Sequence, residues 1–385
     1  MKKLIKFFSF LATIALALVS SKVWAEDAKP VAPTITVGGL VDTYYTYNFT
    51  NGNAGMKGMG NAWGPFGILG SYFNTKDESF ELGMAEVSVT ATQGNASAHV
   101  VLNMGQEANL IIGAANGFQV WQAYVSYVAD QWTFNAGRMA TWMGNEVIES
   151  KSNWNYSRSS LFWATIPLWH TGLSVNFAPD AKLGLTGYIV DGWNNWGTVT
   201  SATSSDLGKT YGLQVAIKPD STFSIILNGI VGPGGTLTTA DPTEMRYVGE
   251  LIVSLAASDK FSLALDAEYF SQAQGAAVTA LTGWGVDLYG RYQIESDWAL
   301  ALRLEEIKDS GYVGVGNTTT QGEIRTATLT VEHNFTPNLL ARVEGRMDMQ
   351  LYNGVQLTPT TTPWGWFAGN DGTQSTASAS MVFSF

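Results

Sequence analysis

The stretch Ser375-Thr-Ala-Ser-Ala-Ser-Met-Val-Phe-Ser-Phe385 decides the fold. Its apolar side chains recur at every second position with small polar residues between them, and only Val382 breaks the alternation. Successive side chains of a β-strand point to opposite faces, so this pattern predicts a strand with one apolar face. The sequence therefore ends in a predicted strand whose last residue is aromatic.

A terminal strand of this kind resembles the final strand of bacterial outer-membrane barrels as a class. The resemblance implies that Met381, Phe383 and Phe385 form a signal for the barrel-assembly machinery. It also implies that the upstream chain consists of antiparallel strands of about ten residues, apolar outside and polar inside. Such strands must close into a barrel, because an unpaired sheet edge finds no hydrogen-bond partner in lipid.

The beginning of the chain resembles an export signal. Three lysines, Lys2, Lys3 and Lys6, precede an apolar run over residues 7–19, and a Val-Trp-Ala segment ends at Ala25. This order is typical of a secretory signal peptide. We therefore expect residues 1–25 to be cleaved, residues 26–33 to form a periplasmic linker and residues 34–385 to form the barrel. The apolar run is shorter than the ~20 residues that a membrane-spanning helix needs.

Composition narrows the class of protein further. The 385 residues include 32 acidic and 21 basic side chains, so the net charge of −11 opposes binding to nucleic-acid phosphates. The absence of cysteine excludes disulfide frameworks and thiol chemistry. Charged residues make up only 14%, whereas 41 glycines and 14 tryptophans are many for a soluble domain. These features favour a membrane barrel over a soluble β-sandwich.

Tight turns divide the chain into hairpins. Turn-forming residues lie at 93–95, 130–131, 179–181, 219–221, 258–259, 296–297 and 336–338. The hairpins that they predict pair 80–92 with 96–103, 118–129 with 132–140, 170–178 with 183–191, 210–218 with 222–231, 246–257 with 260–270, 284–295 with 298–308, and 323–335 with 339–349.

With a first strand at 34–49 and the terminal strand, these hairpins predict an all-β, transmembrane, antiparallel up-and-down barrel of about sixteen strands. An even number of strands places both ends of the barrel chain on one side of the membrane. The short turns are then expected to face the periplasm, and the long loops are expected to be extracellular.

The strands of the second half have one apolar and one charged face. In the segment 339–349, Ala341 and Val343 alternate with Arg342 and Glu344. An arginine or lysine on the lipid face would cost about 2–4 kcal/mol at mid-membrane, so the charged face must line a lumen, and about sixteen strands leave room for an aqueous channel. The predicted pore-lining residues are Asp42, Glu86, Arg246, Glu250, Asp266, Glu268, Asp287, Arg291, Arg303, Glu305, Arg342, Glu344, Arg346 and Asp348.

Acidic residues outnumber basic residues on these predicted inner faces, where Glu332 adds a further carboxylate. A pore lined by negative side chains favours cations, so we expect a weak cation preference. A single charge could instead pair with a neighbour across the wall and only stiffen it.

Residues 141–169 are too many for a simple connection between two strands. Long structured loops are usually functional. In general porins of sixteen strands the third outward loop folds into the barrel and narrows it, and this segment is the third by count. The fold analogy makes it a constriction loop, with Glu146, Glu149, Lys151 and Arg158 near the narrowest point.

Motifs in and after this segment resemble one family. They are Gly137-Arg138, Gly144-Asn-Glu-Val147, Asn155-Tyr-Ser-Arg-Ser159, His170-Thr-Gly172, Asp191-Gly-Trp-Asn-Asn195 and Lys209-Thr-Tyr-Gly212. Together they resemble the OmpL-like beta-barrel porins, the second of the barrel-porin families so named, over about residues 36–385. Asparagine is commoner in that family where this chain has Asp191. The resemblance implies a porin of the bacterial outer membrane that conducts small hydrophilic solutes by passive diffusion, and sixteen-stranded porins are often trimers.

Two other functions are less favoured by the sequence. A sugar-specific channel would explain why tryptophans crowd two adjacent outward loops, although tryptophan also collects at membrane interfaces. These tryptophans are Trp142, Trp154, Trp163, Trp169, Trp193 and Trp196.

An outer-membrane enzyme is not expected. The histidines His99, His170 and His333 belong to no catalytic motif, and we find no metal-binding, phosphate-binding or cofactor motif. We therefore expect no catalytic residue, no metal and no cofactor.

Overall fold

The computed structural model describes residues 32–49, 73–112, 117–194, 208–233, 245–273, 279–311, 321–352, 355–356 and 373–385. The chain divides into the units Met1–Thr34 and Ile35–Phe385, and the second unit forms the barrel. The predicted signal peptide and most of the predicted linker lie outside the described residues.

The described part of the chain contains seventeen strands, two short helices and a 3-10 turn. The helices are α1 (Gln106–Ile112) and α2 (Ser160–Thr165), and the 3-10 turn spans Ser150–Ser152. The strands are β1 (Thr34–Asn48), β2 (Ser79–Gln93), β3 (Ala96–Met104), β4 (Gln119–Ala129), β5 (Trp132–Ala140), β6 (Trp169–Phe177), β7 (Leu183–Val190), β8 (Thr210–Ile217), β9 (Phe223–Pro233), β10 (Met245–Ala256), β11 (Phe261–Gln272), β12 (Leu281–Gln293), β13 (Trp298–Asp309), β14 (Gly322–Thr336), β15 (Leu339–Tyr352), β16 (Val355–Gln356) and β17 (Thr373–Ser384).

The long strands close into one antiparallel barrel. Each pairs with its neighbours in sequence, and β1 pairs with β17 from Leu40 opposite Ser384 to Asn48 opposite Thr376. The two-residue strand β16 pairs with β15, so the wall itself has sixteen strands in the described chain, as predicted. Closure gives the backbone of both edge strands hydrogen-bond partners that lipid cannot supply.

Short turns join the hairpins where turn residues predicted them. The side chain of Asp220 accepts hydrogen bonds from the backbone N–H groups of Thr222 and Phe223, and Asp180 accepts the equivalent pair from Lys182 and Leu183. Hydrogen bonds from the side chain and backbone of Thr222 lower the pKa of Asp220, which lies outside the membrane-spanning strands. Because such turns fix the register, the predicted strand bounds differ from the observed ones by at most three residues.

The two faces of the wall differ as the alternation predicted. On β15, Val343 is 63% exposed, whereas its neighbours Arg342 and Glu344 are 3% and 2% exposed. The outer face is therefore apolar and the inner face polar, which is the arrangement of a barrel that spans lipid. None of the described helices has the length and the apolar character needed to cross a membrane.

A charged substitution on the outer face tests whether this face of the wall contacts lipid. Leu329 lies in the middle of β14, half exposed and opposite Leu302 of β13. We expect Leu329→Arg to destabilise the folded barrel by about 2–4 kcal/mol, since a charge at the bilayer midplane loses its hydration, and Phe335→Arg near the end of the same strand to cost only about 0–1 kcal/mol. Guanidinium unfolding titrations in phospholipid vesicles measure both. Equal costs would contradict the membrane-spanning orientation.

Candidate functional site

The loop between β5 and β6, residues 141–168, lies inside the barrel and is called the third loop below. The backbone N–H of Gly144 donates to Glu250 of β10 at 2.7 Å, and the side chain of Asn155 donates to Thr330 of β14 at 2.8 Å. The hydroxyl of Ser150 donates to Asp42 of β1. A segment can contact all three of these strands only by crossing the lumen.

Hydrogen bonds within the loop and with the wall stabilise the second half of the loop, which leads back to β6. The side chain of Ser159 caps α2 by accepting from the backbone N–H of Phe162 at 3.0 Å. Glu305 of β13 accepts from the N–H of Ser160 at 2.6 Å. A serine cap and a wall carboxylate therefore satisfy the free N–H groups at the beginning of this helix.

Wall carboxylates hold further N–H groups of the third loop. Glu344 of β15 accepts from Tyr156 N at 2.7 Å and from Ser157 N at 3.1 Å, and Asp266 of β11 accepts from Asn145 N at 3.0 Å. A buried backbone group without a partner is costly. These carboxylates therefore serve as the hydrogen-bond partners that the loop would otherwise find in water.

Wall arginines hold the carbonyl groups of the same loop. Arg342 donates to Ser150 O at 2.7 Å and to Asn153 O at 2.6 Å, and Arg346 donates to Arg158 O at 2.8 Å. Hydrogen bonds from a guanidinium group are stronger than those between neutral groups. Because β15 begins at the short-turn end, the contacts of Arg342 show that residues 150–153 lie deep in the barrel.

Most of the predicted pore-lining residues are covered by the third loop. Three of the fourteen, Glu86, Arg246 and Arg291, stay partly exposed. The other eleven face the interior and are buried, and nine of these contact the loop directly. The two exceptions are Asp287, which accepts a hydrogen bond from Tyr289, and Asp348, which pairs with Arg346. The eleven are Asp42, Glu250, Asp266, Glu268, Asp287, Arg303, Glu305, Arg342, Glu344, Arg346 and Asp348.

The four loop charges expected near a constriction differ in their surroundings. Glu146 is buried against Arg303 at 2.6 Å, and Arg158 is buried against Glu107 of α1 at 2.9 Å. Glu149 accepts from the indole N–H of Trp121 at 3.1 Å. Lys151, at the deep end of the loop, is exposed to solvent. Two of the four charges are therefore used in ion pairs that hold the loop to β13 and α1.

The structure also places apolar side chains inside the barrel, which the sequence pattern had not led us to expect. Ile230, Val248, Phe270 and Ile307 form a buried cluster with loop residues that include Leu161 and Phe162. Gly285 of β12 makes room for this packing, because a Cβ atom there would lie 2.2 Å from Cδ1 of Leu161. The alternation of side chains along β11 does predict that Phe270 points inward, since it falls on the same face as Asp266 and Glu268.

The three histidines lie in aromatic contacts. The ring of His99 stacks on Tyr124 at 4.7 Å, that of His170 on Trp142 at 4.3 Å and that of His333 on Trp298 at 4.2 Å. These contacts give the rings of His99 and His333 a packing role in the wall, and they pack the ring of His170 against the third loop.

Three acidic side chains come together that the sequence had not indicated as a group. Glu250 pairs with Glu268 across β10 and β11, and the oxygens of Glu250, Asp266 and Glu268 lie within 4.8 Å of one another. Such a set could coordinate a divalent cation such as Ca²⁺, whose oxygen ligands lie at about 2.3–2.6 Å. In this structure Glu250 and Asp266 accept from the N–H groups of Gly144 and Asn145.

Comparisons with known proteins agree with this architecture. A family model described as "Putative beta-barrel porin-2, OmpL-like" matches residues 34–385. OmpT, expressed in the outer membrane of Vibrio cholerae, is similar in fold, with a TM-score of 0.59 and 10% identity over 94% of this chain and 100% of that chain. Among curated proteins, none matches this sequence.

Two further solved structures are similar. An anion-selective porin from Comamonas acidovorans has a TM-score of 0.61 and 14% identity over 92% of this chain and 100% of that chain. The outer-membrane channel DcaP of Acinetobacter baumannii has a TM-score of 0.60 and 12% identity over 94% of this chain and 99% of that chain. At such identities the likeness shows the fold alone.

Proteolysis tests how the wall holds the third loop. We expect Glu344→Ala to accelerate tryptic cleavage after Arg158, which is 1% exposed in the folded protein. The change leaves the N–H groups of Tyr156 and Ser157 without their acceptor, and a buried unpaired group costs about 1–3 kcal/mol. Glu306→Ala is the matched control, because Glu306 pairs with Lys308 and Arg325. If mass spectrometry finds the same cleavage rate after Arg158 in both variants, Glu344 does not hold the loop.

Proposed function

Because the chain belongs to the OmpL-like family "Putative beta-barrel porin-2", we propose that it is an outer-membrane porin through which small hydrophilic solutes diffuse passively. The observation that carries this proposal is the closed sixteen-stranded wall, apolar outside and polar inside, with a loop folded into its lumen. A barrel of about this size is wide enough for an aqueous channel.

The third loop makes this channel narrow. It packs against β10–β15 and β1 through the hydrogen bonds and the apolar cluster described above. A cavity of about 310 Å³ lies on its other side, against β4–β8. We infer from this arrangement that the loop is the constriction and that only small solutes pass.

The charge of the interior supports a weak preference for cations. Carboxylates outnumber guanidinium groups on the inner faces of β1, β2 and β10–β15, and negative linings favour cations. The preference is weak in this proposal because most of these carboxylates are buried in hydrogen bonds with the loop. Two of the partly exposed wall charges, Arg246 and Arg291, also oppose it.

Export and assembly complete the proposal. Residues 1–25 would direct export, and the half-exposed side chains of Met381, Phe383 and Phe385 would bind the assembly machinery. The in-vitro folded OmpT of Vibrio cholerae is described as a trimer form; it shares the fold with a TM-score of 0.57 and 9% identity over 92% of this chain and 100% of that chain. We propose that the protein forms a homo-trimer in the lipid of the outer membrane. The proposed function requires no catalytic activity and no cofactor.

Planar-bilayer recordings test the channel and its charge preference. We expect the refolded protein to insert in single conductance steps, with a reversal potential in a KCl gradient that has the sign of a cation-favouring pore. A variant shortened by residues 147–156 is expected to conduct more, because it lacks the deep part of the constriction. Absence of steps from correctly folded protein would contradict the porin function, whereas an anion-favouring potential would contradict the charge preference alone.

A further inference from the structure

The charged residues of the barrel wall lie in one half of it. Strands β3, β4 and β6–β9 contain no aspartate, glutamate, lysine or arginine, and β5 contains only Arg138. Each of the strands β10–β15 contains at least two such residues. Because strands adjacent in sequence are adjacent in the sheet, β3–β9 form one continuous uncharged arc.

Arg138 adds little charge to this arc. It is buried, and its guanidinium carbon lies 3.6 Å from the ring centroid of Trp169 and 5.9 Å from that of Trp121. Stacking on aromatic faces stabilises a guanidinium group that is removed from water. The charge is therefore enclosed by rings rather than presented to the lumen.

The third loop lies on the charged half and leaves space beside the uncharged arc. Most of its ionic and charge-assisted contacts go to β1, β10, β11, β13 and β15. In addition, Arg158 pairs with Glu107 of α1, and Glu149 accepts from the indole N–H of Trp121 on β4. The cavity of about 310 Å³ lies on the opposite side, between the beginning of the loop and β4–β8. Its wall includes Tyr124, Asn135, Ser174, Tyr188 and Gln214, none of them charged.

Neutral hydrogen-bonding groups and aromatic rings line this cavity. Asn135 donates to Ser174 at 3.0 Å, and Gln214 donates to Asn228 at 3.0 Å. The ring of Trp142 lies parallel to that of Tyr188, with centroids 3.8 Å apart. Amide and hydroxyl groups both donate and accept hydrogen bonds, so this wall can replace the water around a polar uncharged solute.

We propose that solutes pass along the uncharged arc β3–β9, and that this path favours small uncharged solutes rich in hydroxyl or amide groups over ions. The inference rests on the porin function proposed above and adds the path and the solute class. An ion on this path would lose part of its hydration without meeting an opposite charge, which is costly. A solute with hydroxyl groups exchanges its hydrogen bonds with water for hydrogen bonds with the wall.

Thiol labelling tests the path, because the native chain contains no cysteine. Single cysteines would replace Asn135 and Gln214 on the uncharged arc, and Thr328, which is buried on β14 and accepts from Arg303, on the charged half. A cationic methanethiosulfonate reagent is added during bilayer recording. We expect loss of conductance with Asn135→Cys and Gln214→Cys and no change with Thr328→Cys.

The labelling experiment tests the proposed path independently of the porin function. Heat-modifiable mobility on gels shows that each variant is folded before recording. Loss of conductance at Thr328→Cys but not at the two arc positions would overturn the proposed path while leaving the porin function intact. Failure of the unlabelled, folded proteins to conduct would instead overturn the porin function, and the inference with it.

Liposome swelling tests the solute class. We expect a neutral sugar alcohol to enter proteoliposomes faster than an organic anion or an organic cation of similar size, and Gln214→Glu to reduce this difference for the cation. Gln214→Asn is the matched control, since it keeps an uncharged amide at this position. Equal entry of neutral and charged solutes through a conducting protein would overturn the preference for uncharged solutes.

Discussion

A backbone that enters a lipid-embedded barrel must find hydrogen-bond partners there, and the structure depends on how this requirement is met. Each N–H and C=O group that loses water without finding a partner costs free energy. In this protein many of the partners are acidic and basic side chains of the wall. Glu305 and Glu344 accept from N–H groups of the third loop, and Arg342 and Arg346 donate to its carbonyl groups.

This constraint gives the inner charges a structural meaning. Burying an ion is costly unless it is paired and hydrogen-bonded, and the loop supplies both conditions. Arg303, for example, contacts Glu146 and the carbonyl of Ser157. A charged side chain on the inner face of the barrel therefore need not face the open lumen, and a count of inner charges does not by itself give the charge that lines the open space.

The same constraint explains why the two halves of the barrel differ in the side chains of their inner faces. The half that binds most of the loop does so mainly with charged and apolar side chains, as the hydrogen bond from Gly144 to Glu250 and the packing around Phe270 show. The half that faces the cavity holds the loop at fewer points, such as the hydrogen bond from Gln214 to the carbonyl of Trp142, and the side chains that line the cavity there, such as Asn135 and Gln214, are neutral and polar. On the proposed path, holding the loop and passing solutes would depend mainly on different parts of one wall.

The amino-acid sequence by itself determined the barrel, its sixteen strands and their two faces. Residues of strands and tight turns act locally, through alternation with a period of two and through turn side chains such as Asp220. The terminal strand ending in Phe383 and Phe385 carried the same information at one end of the chain. For these reasons strand bounds and inward charges could be predicted without the structure.

Tertiary structure alone decided what the inward charges contact. The partners of Asp42 and Glu344 lie in the third loop, more than a hundred residues away in sequence, and no local pattern relates them. The grouping of Glu250, Asp266 and Glu268 likewise depends on strand register together with the entry of the loop. Alternation shows which face of a strand a side chain is on, whereas only the folded chain shows whether water or another segment covers that face.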